Sequence, residues 1–280
     1  IFFQVFQSQW LFLGLQKPEY ILYSSIVSRM IFALLILLFV RDNMTVNYVA
    51  VAFAMSALTG SLVCAYLILK DGYRPHITSF KYIKILIFES AKFFWSRVAV
   101  SIYSSFTSIL LASTVAASSY ALYSVCEQLY KGGQLLSGSV SLATLPETTK
   151  SGKTDIVFFW AKVFTIIGLL GVLGAFFFGG NVLGFLFGQD FANGSRVLLI
   201  FAIIFLCSSV SVMFGYPFFA AKNALNIANI SVMFGAAIHS ITLSILYFLN
   251  IFDIYSAGIA ILITEVCIML FRIMYIKTKF

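Results

Sequence analysis

Nine stretches of this chain are apolar enough to cross a bilayer, the first of them partial, and several carry charge near the middle of the crossing. That pattern leaves few folds open. Every backbone polar group in hydrocarbon must be bonded internally, so the spanning elements are helices or a closed barrel. Runs of about 20 apolar residues fit helices. Charged residues make up only 10% of the chain and hydrophobic ones 61%, with a mean hydropathy of +1.00. A soluble domain carries roughly 25% charged residues, so lipid is the expected solvent.

The crossings are expected at Ile1 to about Leu15, Tyr20–Val40, Val46–Leu69, Lys84–Leu111, Ala117–Leu145, Ile156–Phe178, Val197–Phe219, Ile227–Leu249 and Ile254–Ile276. The chain opens on Ile1 within a hydrophobic run, which suggests that an N-terminal region is missing. Counting Lys and Arg in alternate loops collects Lys17, Lys70, Arg74, Lys81, Lys84, Lys150, Lys153, Lys222, Arg272, Lys277 and Lys279 on one side. Only Arg41 and Arg196 fall on the other. Basic residues favour the cytoplasm, so the C-terminus is expected there. The net charge of +8 reads as orientation, and no nucleic acid is expected as a partner.

Cys64, Cys126, Cys207 and Cys267 all fall inside crossings, without metal-ligand spacing, and read as small apolar packers. No metal or cofactor is expected. His76 lies in a basic loop, whereas His239 is midway along a crossing, where a hydrogen-bonded packing role is the simpler reading.

The polar stretch KDGYRPHITSFKYIK separates three crossings from six. The expected organisation is residues 1–69, a basic cytoplasmic linker over 70–84, and a six-helix unit over 85–280. A weak internal repeat supports this division. WLFLGLQKPEYILYSSIVSRM from Trp10 resembles YPFFAAKNALNIANISVMFGA from Tyr216, each an aromatic helix end that reaches Lys17 or Lys222 before another apolar helix. Repeats of this kind build many transporters. Three crossings then match the last three of six, and the inferred parent is an all-α, polytopic bundle of twelve helices in two six-helix lobes.

At 100° per residue, Glu89, Lys92, Ser96, Arg97, Thr107 and Ser108 share one half of the fourth crossing. Tyr120, Tyr123, Glu127, Gln128, Lys131 and Gln134 share one face of the fifth. A spanning helix polar on half its surface faces protein or water. A charge at the centre of a crossing costs about 2.5–3.5 kcal/mol on the insertion scale. Glu127 and Lys131, four residues apart, can neutralise each other. Arg29 and Arg97 have no acid one turn away on their own helices. Cations therefore outnumber anions, and guanidinium and ammonium groups suit phosphate. The neighbouring hydroxyls and amides suit sugars. Arg29, Arg97, Lys131, Lys92, Tyr123 and Gln128 are the expected substrate-binding residues. Glu265 and Glu127 are the expected ion-coupling ones, with Glu265, which has no base within one turn, the expected site of reversible protonation.

Four passages resemble the O-antigen flippases of the multidrug/oligosaccharidyl-lipid/polysaccharide exporter superfamily. They are QWLFLGLQKPEY, SYALYSVCEQLYKGGQLLSGSVSLATLP from Ser119 to Pro146, FGQDF from Phe187 to Phe191, and GYPFFAAKNALN. The resemblance runs from Gln9 to the C-terminus. It implies twelve helices in two lobes about a central cavity, of which this chain lacks the first three. It implies flipping of undecaprenyl-diphosphate-linked O-antigen units from the cytoplasmic to the periplasmic leaflet of a bacterial inner membrane, by alternating access coupled to protons or sodium. An O-antigen polymerase and a chain-length regulator are the partners it implies. A multidrug antiporter would present an acidic cavity. A polymerase or membrane glycosyltransferase would carry a large extracytoplasmic loop, whereas these loops hold little beyond Arg41, Asp42, Asp190, Arg196 and Asp253. Neither pattern is present, so no enzyme is expected.

Overall fold

The computed structural model describes residues 2–15, 17–39, 46–74 and 79–280. The side chains at 2, 9, 13, 18, 46, 92, 93, 95–97 and 99–104 lie outside that description. All regular structure among the described residues is helical, in ten α-helices and two 3₁₀ turns. The chain is an all-α polytopic membrane protein. Among the described residues, six segments are both long and apolar enough to span: Glu19–Phe39, Asn47–Lys70, Asp155–Phe187, Gln189–Ala221, Leu225–Phe248 and Ile254–Lys279.

The difference from nine arises at three of the expected crossings. The first segment divides into a 3₁₀ turn, Phe2–Phe6, and a short helix α1, Gln9–Gly14. Helices α4 (Phe80–Thr114) and α5 (Ala117–Ser151) have 35 residues each, about 52 Å at 1.5 Å per residue. Helix α5 is long enough but too polar to span by hydropathy, and in α4 the described apolar stretch is Ser105–Thr114.

Two compact units form, Ile1–Ile83 and Lys84–Phe280. In the first, α2 (Pro18–Phe39) packs on α3 (Val46–Lys70) through small residues. Ser28 Oγ donates to the Ser56 carbonyl at 2.8 Å. A Cβ on Gly60 would come within 3.2 Å of the Ser28 Cβ, so the two backbones approach closely there. Small residues let spanning helices come together where no hydrophobic drive exists. Beyond α3, Asp71 accepts from Lys17 Nζ at 2.6 Å and from the Tyr20 hydroxyl at 3.0 Å. The hydrogen bond from Lys17 holds the Asp71 carboxyl below its usual range, and the same bond raises Lys17. The expected linker is thus partly structured: Lys70 closes α3 and residues 80–84 already belong to α4, while 75–78, with His76, lie outside the described residues.

In the second unit, α6 (Asp155–Phe187) lies against α7 (Ser195–Met213), where a Cβ on Gly168 would meet Leu206 at 2.6 Å. Leu111, Tyr123, Leu183, Phe201 and Ile204 form the adjoining core. Pro146 does not end α5, as its position in the sequence suggests. It sits inside the helix, which runs on until Gly152 turns left-handed at φ 66° and donates to the Thr148 carbonyl. A proline removes one backbone bond without forbidding the helix when neighbouring groups compensate. The seventh crossing is broken: α7 stops at Met213, Gly215 leaves helical geometry, and Pro217 opens α8 (Tyr216–Ala221). Helices α9 (Leu225–Phe248) and α10 (Ile254–Lys279) complete the unit, the latter capped by Asp253, whose carboxylate accepts from the Tyr255 and Ser256 amides.

The repeat becomes sharp at this level. Helix α8 starts 207 residues after α1, and α9 starts 207 residues after α2. Buried Phe12 corresponds to buried Phe219, and buried Ser24 to buried Ser231; both serines donate to the carbonyl three residues back. The two lysines hold the same short connection and each touches the far end of the third helix. Lys17 pairs with Asp71, and Lys222 lies 5.9 Å from the Phe280 ring.

Candidate functional site

The first unit holds a pocket of about 320 Å³ lined by Gln4, Gln7, Ser25, Ser28, Arg29 and Ser56 beside Phe32 and Phe53. It lies where the 3₁₀ turn and α1 interrupt the first segment. Ser28 and Ser56 spend their protons on the carbonyls of Ser56 and Phe53. The Arg29 guanidinium, the Gln4 amide and the Ser25 hydroxyl have no side-chain partner among the described residues. The pocket therefore offers a cationic donor fork, an amide that both donates and accepts, and a free hydroxyl. That donor set suits an anion bearing sugar hydroxyls.

In the second unit, α5 divides its polar residues between two environments. Gln128 and Lys131 line an open cleft of about 800 Å³ along the helix. Lys131 Nζ lies 2.9 Å from Glu127 Oε1, the expected pair, and Ser108 Oγ donates to the same carboxylate oxygen at 2.9 Å. Tyr123 turns the other way. It is fully buried, 5.2 Å from the Phe201 ring centroid, with its hydroxyl unpartnered among the described residues. It stands apart from Gln128 and Lys131, though the helical wheel groups the three. Lys92 and Arg97 lie on α4, but their side chains are outside the described residues.

His239 is buried between two threonines. Thr264 Oγ1 donates to the Ala260 carbonyl and so accepts from His239 Nδ1 at 2.9 Å. In the neutral ring, Nε2 then accepts from Thr107 Oγ1 at 2.7 Å. One imidazole ties α4, α9 and α10 together.

Glu265 and Arg272, two turns apart on one face of α10, line a cavity of about 140 Å³ with Gln134, Ser208, Ser211 and Tyr216. Both are buried. Arg272 Nη1 donates to the Ser211 carbonyl at 2.6 Å and to its hydroxyl at 3.1 Å, while Nε donates to Ser231 Oγ at 2.9 Å. Ser211 is in the last turn of α7, so the guanidinium caps the negative end of a broken helix. A Cβ on Gly215 would stand 2.9 Å from Nη1. In the sequence Arg272 counts among the basic residues of the C-terminal end, and this buried role is missed. Its seven-residue spacing from Glu265, which places both on one face, was the available signal.

A membrane protein with polar pockets inside helical units is the class these features define. The model of a family described as "Polysaccharide biosynthesis protein" matches residues 1–152, and the chain belongs to that family. It is also 23% identical over 278 residues to a Shigella dysenteriae protein named "Putative O-antigen transporter", covering 96% of this chain and 68% of that protein. No solved structure matches it significantly.

Proposed function

We propose that the chain moves a polyprenyl-diphosphate-linked oligosaccharide, an O-antigen repeat unit, from the cytoplasmic to the periplasmic leaflet of a bacterial inner membrane. The observation that carries this reading is the Arg29 pocket, with its guanidinium, amide and hydroxyl unspent among the described residues. Family membership and the name of the Shigella relative support it. The protein is then a carrier and not an enzyme. The two units serve as parts of two lobes that alternate in access. Arg29 of the first unit and Lys92, Arg97, Gln128 and Lys131 of the second are the proposed contacts to diphosphate and sugars, whereas Tyr123, buried against Phe201, does not reach them. An O-antigen polymerase and a chain-length regulator are the proposed partners. The test is surface O-antigen in a strain lacking its own flippase: restoration by the gene supports the reading, and persistent absence with protein in the membrane rejects it.

The lysines of α10 and of residues 70–84 support a cytoplasmic C-terminus and a cytoplasmic 70–84 segment. A reporter fused after Phe280 should be active only if it folds in the cytoplasm; periplasmic activity would reverse the orientation.

Glu265 is the proposed coupling carboxylate and Glu127 the orienting partner of Lys131. Glu265→Gln should flatten the response of transport to an imposed pH gradient more than Glu127→Gln does. An unchanged gradient response in Glu265→Gln would remove it from coupling.

A further inference from the structure

The open cleft of α5 has a chemistry that the Arg29 pocket lacks. Its helix contributes Gln128, Lys131, Gly132, Leu135, Gly138 and Leu142, spaced so that they form one stripe, together with Ser139 beside it. From Gln128 to Leu142 the stripe is roughly 21 Å long at 1.5 Å per residue. Charge sits only at one end, where Lys131 is half exposed and oriented by Glu127. The rest of the lining is leucine, valine and small residues, with Gln134 and Ser137 beside the stripe.

Two glycines of the stripe have no packing reason, an openness that Gly171 and Gly174 of α6 share but that here falls inside a cleft. A Cβ on Gly132 or Gly138 would meet nothing within 4 Å. On the same helix, by contrast, a Cβ on Gly133 would strike the Phe205 ring at 2.8 Å. Glycine weakens a helix relative to alanine, so open glycines in a cleft keep room for something that comes and goes. An apolar groove with a half-exposed lysine at its end, its Glu127 partner buried behind it, fits an amphiphile with a single anionic head.

We propose that this stripe is the seat of the carrier lipid. The methyl-branched polyprenyl chain lies over Gly132, Leu135, Gly138 and Leu142, and the phosphate nearest the chain meets Lys131 and Gln128. This rests on the flippase reading above and adds to it where the lipid part of the substrate is held. In the orientation proposed there, Leu142 lies nearer the cytoplasm than Lys131. The tail therefore trails in the leaflet it came from while the head is part-way across.

Sugar-free undecaprenyl phosphate carrying a diazirine in its tail is the probe, with the full chain in phosphatidylcholine nanodiscs and labelled peptides mapped by mass spectrometry. Labelling should concentrate on residues 128–142. Unlabelled undecaprenyl phosphate should displace it, and undecaprenol or dodecyl phosphate should do so at least tenfold less well. Gly138→Leu, whose Cβ meets open space and which should melt like the parent, should cut labelling tenfold or more, and Gly138→Ala much less. Lys131→Gln should lower capture of the phosphate without changing that of undecaprenol. Labelling spread over all lipid-facing helices, or displaced as well by extra phosphatidylcholine, overturns the seat. Export and labelling by Gly138→Leu at the parent's level overturn it while leaving the flippase reading intact. Variant-sensitive labelling without any oligosaccharide transport upholds the seat and rejects the flippase reading.

Discussion

Arg272→Ala should leave little folded protein in the membrane, and what remains should melt well below the parent. The guanidinium donates to the Ser211 carbonyl, the Ser211 hydroxyl and the Ser231 hydroxyl, and it is buried. A buried group stripped of its partner costs about 1–3 kcal/mol. Removing the side chain also enlarges the adjoining cavity, so a total on the order of 3 kcal/mol is expected. Arg272→Lys should recover only part of this, because one ammonium cannot span Ser211 and Ser231 as the fork does. Gly215→Ala should act in the same direction and more weakly by pushing a Cβ against Nη1. Fluorescence-detected size-exclusion melting reads all three. A parent-like melting temperature for Arg272→Ala would show that the broken crossing holds itself.

Arg29→Ala should do the reverse, leaving abundance and melting near the parent's while surface O-antigen falls sharply. Arg29 is exposed and has no bond to a described residue, so its loss exposes no unsatisfied group. Surface substitutions of that kind stay within about 0.5 kcal/mol. A lost charge-assisted hydrogen bond to a phosphate costs about 1.5–3 kcal/mol, or roughly tenfold to a hundredfold in affinity. Wild-type export by Arg29→Ala at limiting expression would take the pocket off the substrate path. Opposite outcomes for two arginines would separate a guanidinium that holds the fold from one that is free to bind.

How far the sequence could be read depends on what each signal reports. Hydrophobic runs report solvent, so the membrane class and the helices α2, α3, α6, α9 and α10 were legible. The lysine repeat reported the resemblance of the two three-helix segments, although the register of 207 residues shows only in the helix starts. Breaks were not legible. Pro146 marks no end and Gly215–Pro217 marks a real one, because the outcome depends on what neighbouring groups supply to the freed backbone. The helical wheel put Tyr123 with Gln128 and Lys131, yet a tyrosine's ring is apolar enough for its neighbour Phe201 to draw it inward. Arg272 was hidden for a related reason. Its partners, Ser211 and Ser231, are separated from it by 61 and 41 residues, and no local pattern announces them.

Transport itself is the central claim, and reconstitution tests it most directly. Proteoliposomes containing the purified chain and a fluorescent undecaprenyl-diphosphate oligosaccharide in the inner leaflet should expose that oligosaccharide to an external glycosidase. Exposure should be faster than in protein-free vesicles, and Arg29→Ala should slow it at least tenfold. Exposure no faster than in protein-free vesicles, with the protein folded and inserted, would contradict the account.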